Sequence, residues 1–177
     1  MLQTTYRATL VAAAVLAYGP AHAHITLETQ EAAAGGYYTA VLRVSHGCEG
    51  SPTTAVRVQI PDGVMGVRPQ PKPGWELEIV RESVDEAADH GHSHGVNDES
   101  AERISEIRWT DGSLPDEYYD EFRLRMLLPD SPGKVVYFPT VQECEEGVHR
   151  WIEIPEEDDD AAEFDEPAPG LTLTPAD

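Results

Sequence analysis

Apolar and polar residues alternate at a period of two along most of this chain, and no stretch sustains a helical period of 3.6. In Tyr37 to Val44 the residues Tyr38, Ala40, Leu42 and Val44 share one face. Val56, Val58 and Ile60 do the same in Thr53 to Ile60, and Trp75, Leu77 and Ile79 alternate with Glu76 and Glu78. Ile104 to Thr110, Phe122 to Leu128, Val135 to Val141 and Val148 to Ile154 continue the pattern, and His24 to Glu28 adds a short first member. Phe122, Leu124, Met126 and Leu128 form an inward stripe, which leaves Glu121 on the opposite face. The breaks carry turn chemistry: Gly35-Gly36, Pro61-Asp62-Gly63, Pro71-Lys72-Pro73-Gly74, Asp111-Gly112, Ser131-Pro132-Gly133 and Glu146-Gly147. About eight short strands joined by such turns predict an all-β fold, an antiparallel β-sandwich of immunoglobulin-like size.

The two ends depart from this pattern. Before residue 28 the only charged side chain is Arg7, followed by an apolar run from Ala8 to Gly19, a break at Pro20 and the small residues Ala21 and Ala23. That order predicts a signal peptide over residues 1–23, cleaved after Ala23, because the run is too short for the ~20 residues a spanning helix needs. The expected product is exported, periplasmic where a periplasm exists, and not inserted in the membrane after cleavage. At the other end, Glu156 to Glu166 is crowded with carboxylates ahead of Pro167 and Pro169. We expect the packed domain to cover residues 24–155 and an acidic disordered tail to occupy 156–177, with a docking role for the tail as the alternative.

Charge narrows the partners. The chain carries 12 basic and 33 acidic residues, a net charge of −21. Nothing resembles a basic stripe for phosphates, which argues against nucleic acid and against anionic membrane surfaces. The two cysteines, Cys48 and Cys144, meet an oxidising compartment after export and are expected to form a disulfide rather than a thiolate metal pair, since no Cys-x-x-Cys spacing is present.

Candidate chemistry centres on histidine. Cleavage after Ala23 makes His24 the first residue, so its α-amine and imidazole Nδ1 can chelate one ion. Nitrogen donors of this kind favour copper, as Cu(II), at the top of the divalent affinity order. Carboxylates to complete such a site are numerous. Glu28 lies four residues along the same strand, about 13 Å away if the strand is straight, and Glu31 lies beyond a bend. His46, two residues from Cys48, and His149, on the same strand face as Trp151, are further imidazole candidates, although turn or surface roles are the ordinary reading of each. The default for Trp75, Trp109 and Trp151 is core packing. The segment 85–100 holds His90, His92 and His94 in an acidic, glycine-bearing stretch and reads as an exposed loop, either incidental or a weaker secondary metal site.

Several runs taken together resemble the YcnI-type copper-binding family. They include His24-Ile25-Thr26-Leu27-Glu28, Ser45-His46-Gly47-Cys48, Pro71-Lys72-Pro73-Gly74-Trp75, Tyr119-Asp120-Glu121-Phe122, Gln142-Glu143-Cys144-Glu145 and Trp151-Ile152-Glu153-Ile154-Pro155. The resemblance spans residues 24–155 in order. It implies an exported β-sandwich that binds Cu(II) through a mono-histidine brace with a glutamate and a nearby tryptophan. Carried onto this chain, the brace is His24, the tryptophan adjacent to copper is Trp151 and the leading carboxylate is Glu121. The acidic His90–His94 segment departs from the family pattern.

The function expected on these grounds is a non-enzymatic copper-binding protein: a chaperone, scavenger or store that exchanges its ion with other periplasmic copper chaperones or membrane copper transporters. The competing enzyme reading, an oxidase of the polysaccharide monooxygenase kind, requires a second brace histidine, for which only His46 or His149 is available. The third reading is a metal-free interaction module whose terminal histidine is a coincidence of processing.

Overall fold

The computed structural model describes residues 24–83, 102–156 and 164–176. The leader and the His90–His94 segment lie outside the described residues. Within them are twelve strands and no helix, so no helix is long and apolar enough to cross a membrane.

The strands are β1 (Thr26–Leu27), β2 (Glu31–Ala33), β3 (Tyr37–Val44), β4 (Thr53–Gln59), β5 (Met65–Pro69), β6 (Glu76–Ser83), β7 (Glu102–Thr110), β8 (Asp120–Leu127), β9 (Val135–Tyr137), β10 (Thr140–Cys144), β11 (Val148–Trp151) and β12 (Gly170–Thr174). One sheet runs β1-β3-β8-β5 and a second β11-β10-β4-β7-β6, while β2-β12-β9 forms a three-stranded sheet. Pairing is antiparallel except between β2 and β12. The expected antiparallel β-sandwich is the observed architecture.

Alternation explains the core. Ala40, Leu42 and Val44 on β3, Val56 and Val58 on β4, and Phe122, Leu124 and Met126 on β8 are each no more than 1% exposed. They join Trp109, Phe138, Leu171 and Leu173 in a single cluster. The expected stretch Val135 to Val141 is divided in two. β9 pairs with β12 and β10 pairs with β4, with the change of sheet at Phe138-Pro139. Proline has no N–H for a ladder, so a strand can turn there without losing a donor.

The C-terminal boundary requires correction. Residues 164–176 are ordered into the domain, not a disordered tail from 156. Leu171 and Leu173 on β12 are 0% and 1% exposed, and β12 bridges β2 and β9. Alternating Leu171 and Leu173 is a strand signal that the preceding acidic run obscures. The chain returns to the fold through a parallel bridge of Glu153 with Pro167 and a hydrogen bond from the Ala168 N–H to the Glu153 carbonyl at 2.8 Å.

Cys48 and Cys144 form the expected disulfide across 96 positions. In the chain-entropy view a closed loop of that length stabilises the fold by about 4–5 kcal/mol. It ties the turn after β3 to the end of β10.

Candidate functional site

His24 sits at the entrance to β1. Ile25 and Leu27 are buried at 2% and 3% and anchor this segment in the core, while His24 stays half-buried. Its imidazole packs edge-on against Trp151, with ring centroids 5.3 Å apart at 67°. Beside it runs a cleft of about 270 Å³, bounded by Ile25 and Thr26 on one side and by Tyr137, Pro155 and Pro167 to Gly170 on the other. The C-terminal segment therefore forms one wall of the His24 cleft.

Trp151 ends β11 and is 4% exposed. A buried indole N–H needs a partner, and it donates to Gln142 Oε1 at 3.2 Å. Gln142, on the neighbouring β10, is 1% exposed and spends its amide nitrogen on the His46 carbonyl at 2.7 Å and Thr53 Oγ1 at 2.8 Å. Each polar group of this buried side chain is thus satisfied, and one glutamine fixes the tryptophan, the His46 turn and β4 together.

The other face of the cluster is histidine. His149 stacks on Trp151 with centroids 4.9 Å apart at 28°, as expected for residues two apart on one strand. His46 lies against His149, centroids 6.2 Å apart and nearly perpendicular. The disulfide and the turn at Gly47 bring it there. A Cβ at Gly47 would stand 1.9 Å from the Ser51 carbonyl oxygen, so only glycine allows this close return of the chain. The His149 Nδ1–H donates to Glu166 Oε1 at 2.7 Å, and the second Glu166 oxygen accepts the Arg150 N–H at 2.9 Å.

The carboxylates expected at His24 are placed elsewhere. Glu121 on β8 lies two strands from β1, through the register Thr26↔Arg43↔Glu121, or roughly 10 Å at the usual strand spacing. Its oxygens meet Arg123 Nη2 at 2.5 Å and Arg43 Nε at 3.5 Å. Those guanidiniums, Arg123 first, hold its carboxyl below the usual range. It lines a separate cavity of about 220 Å³ with Lys72, Trp109 and Phe122. Glu28 Oε1 accepts from Arg43 Nη2 at 2.6 Å, and Glu31 opens β2 opposite Thr172. Among the described residues no three His, Cys, Asp or Glu side chains converge into a ready-made metal cage.

The histidines and Trp151 are therefore gathered as a unit, whereas Glu28, Glu31 and Glu121 are not part of it. Two members went unseen in the sequence, Gln142 and Glu166. A polar residue at an inward strand position marks Gln142, which shares the buried face of Thr140. Glu166 had no distinguishing signal within the acidic run.

These features define a disulfide-stapled, immunoglobulin-like β-sandwich with an imidazole–indole cluster where its two main sheets meet. The chain belongs to the family described as domain of unknown function DUF1775, whose model matches residues 24–173; this is the YcnI-like family. The match begins at His24 and runs into β12. An uncharacterized protein from Nocardia farcinica, whose crystal structure is described as revealing an immunoglobulin-like fold, is similar in structure at a TM-score of 0.61. The two share 28% sequence identity over 85% of this chain and 98% of the Nocardia chain. No curated protein matches the sequence.

Proposed function

We propose that this domain is an exported Cu(II)-binding protein that holds its ion at His24 once the leader is removed. The observation that carries the reading is the placement of His24 at the edge of the domain, half-buried and against the Trp151 ring. The family match starting at His24 supports a mature chain that begins there. An α-amine and an imidazole from one residue supply two nitrogens, suited to copper's preference for tetragonal nitrogen sites. The residues present fit this chelate, with solvent or a partner's donor completing it, rather than a closed cage. An open site of that kind suits cargo that is received and passed on. Handover to a chaperone or membrane transporter for copper is the role we assign, and a non-enzymatic one.

The alternative of polysaccharide oxidation asks for a second imidazole committed to the same ion as His24. His149 is instead stacked on Trp151 with His46 against it, a pairing of imidazoles that does not include His24. The experiment compares the processed protein with a form carrying one extra residue before His24. A tight first equivalent of Cu(II) is expected of the first form and its loss, with weaker binding elsewhere retained, of the second. Equal binding by both forms would sink the chelate.

A further inference from the structure

His46 and His149 have a feature in common that the His24 reading leaves unused. Each ring commits its Nδ1 to an oxygen that can only accept. His149 Nδ1 faces Glu166 Oε1 at 2.7 Å, and His46 Nδ1 faces the Gly47 carbonyl at 2.5 Å. Both neutral rings are therefore held as the Nδ1–H tautomer, which leaves the lone pair on Nε2. Neither Nε2 has a hydrogen-bond partner among the described residues. Metal-binding histidines are commonly prepared in this way, with the far ring nitrogen donating to a carboxylate or backbone carbonyl.

Position agrees with tautomer. The centroids are 6.2 Å apart. Two imidazoles sharing one ion at nitrogen–metal distances of about 2.0 Å have centroids roughly 5–6 Å apart, close to the spacing of this pair. Both rings are half-buried and reachable from solvent. Their backbones are tightly set: the His46 carbonyl accepts from Gln142, the Gly47 N–H donates to Asp116 Oδ1 at 2.9 Å, and the disulfide joins the two segments. A pair of donors held by a rigid frame loses little entropy on binding, in contrast to histidines on a free loop.

We propose that His46 and His149 form a second transition-metal site, a two-imidazole site for zinc or copper, with Glu166 as the positioning residue for His149. Solvent completes the coordination. The site is separate from the His24 chelate and does not depend on it. Its place beside Trp151, which also touches His24, sets both sites against one indole.

The test uses the processed protein with histidine labelled by nitrogen-15 and His90, His92 and His94 replaced by alanine, titrated with Zn(II). Long-range proton–nitrogen spectra read each imidazole nitrogen separately. The Nε2 signals of His46 and His149 are expected to shift together at one stoichiometry while both Nδ1 stay protonated. His24 reports in the same spectrum, so its behaviour is judged independently. His46→Ala is expected to abolish the response of His149, and Glu166→Gln to weaken binding about 10-fold. The site is refuted if the two rings respond at different zinc concentrations, if neither responds at millimolar zinc, or if His149 responds unchanged in His46→Ala. Unaltered affinity in Glu166→Gln would remove Glu166 from its positioning role. The spectrum of the unsubstituted pair tests the site without relying on any variant's folding.

Discussion

The indole N–H of Trp151 donates to the side-chain oxygen of Gln142 at 3.2 Å, and this buried bond sets the ring against which His24 rests. Trp151 is packed in the core cluster, and its N–H bond adds a fixed direction to that packing. With its N–H tied inward, one edge of the ring faces β10 and the remainder is offered to the two histidines. The relationship couples the interior to the site, because the same glutamine also holds the His46 carbonyl.

Replacing Gln142 with leucine keeps the volume but strands the Trp151 N–H, the His46 carbonyl and the Thr53 hydroxyl. Leaving buried polar groups unpaired costs about 1–3 kcal/mol each, less where water reaches them. We expect Gln142→Leu to lower unfolding stability by about 3 kcal/mol or more, read by urea denaturation. Trp151 emission should also shift to the red in the folded protein. A stable variant with unaltered emission would show that Gln142 does not set the indole.

The C-terminal strand carries its own prediction. Leu171 and Leu173 are fully buried and contribute to the single core. Leu171→Ala and Leu173→Ala should each cost about 2–5 kcal/mol, as for other buried leucines. Removing residues 164–177 should be worse, since it also takes away Glu166 and one wall of the His24 cleft. Limited proteolysis that trims this segment without changing the melting temperature would contradict its structural role.

Tyr38 gives a pH prediction with a definite sign. Its hydroxyl donates to the Thr29 carbonyl at 2.6 Å, just beyond β1, and burial followed by the charge of Glu28 pushes its pKa from 10.0 up to about 12. A phenol raised in the folded state contributes stability that is complete below its unfolded value. That contribution declines as the pH rises from 10.0 towards 12. The stability difference between the native protein and Tyr38→Phe should thus be flat below pH 10.0, at about 1 kcal/mol, and shrink above it. The absorbance difference between the native protein and Tyr38→Phe should show the Tyr38 phenolate forming towards pH 12. A Tyr38 phenolate forming near pH 10.0 in the folded protein would refute the assignment.

Much of the architecture was legible in the chain itself. Alternation at a period of two requires no partner to be recognised, so β3, β4, β7 and β8 and their inward residues follow from local pattern alone. The disulfide was readable because two cysteines have a single possible intramolecular pairing. The nearness of His46 to the β11 region also follows once that pairing is accepted. What resisted reading was set by contacts between distant segments. The acidic run before Pro167 has the composition of a solvated tail, yet β12 beyond it gains the core by pairing with β2 and β9. The choice among glutamates was likewise closed to composition. Arg43 reaches both Glu28 and Glu121 from the neighbouring strand, and such cross-strand register is a property of the paired sheet; Arg123 adds a contact to Glu121 from the same strand. His24 could be singled out from its place after Ala23. Only the folded sandwich supplies its neighbours, because Trp151, Gln142, His149, His46 and Glu166 come from four separate stretches of chain that meet where the sheets close.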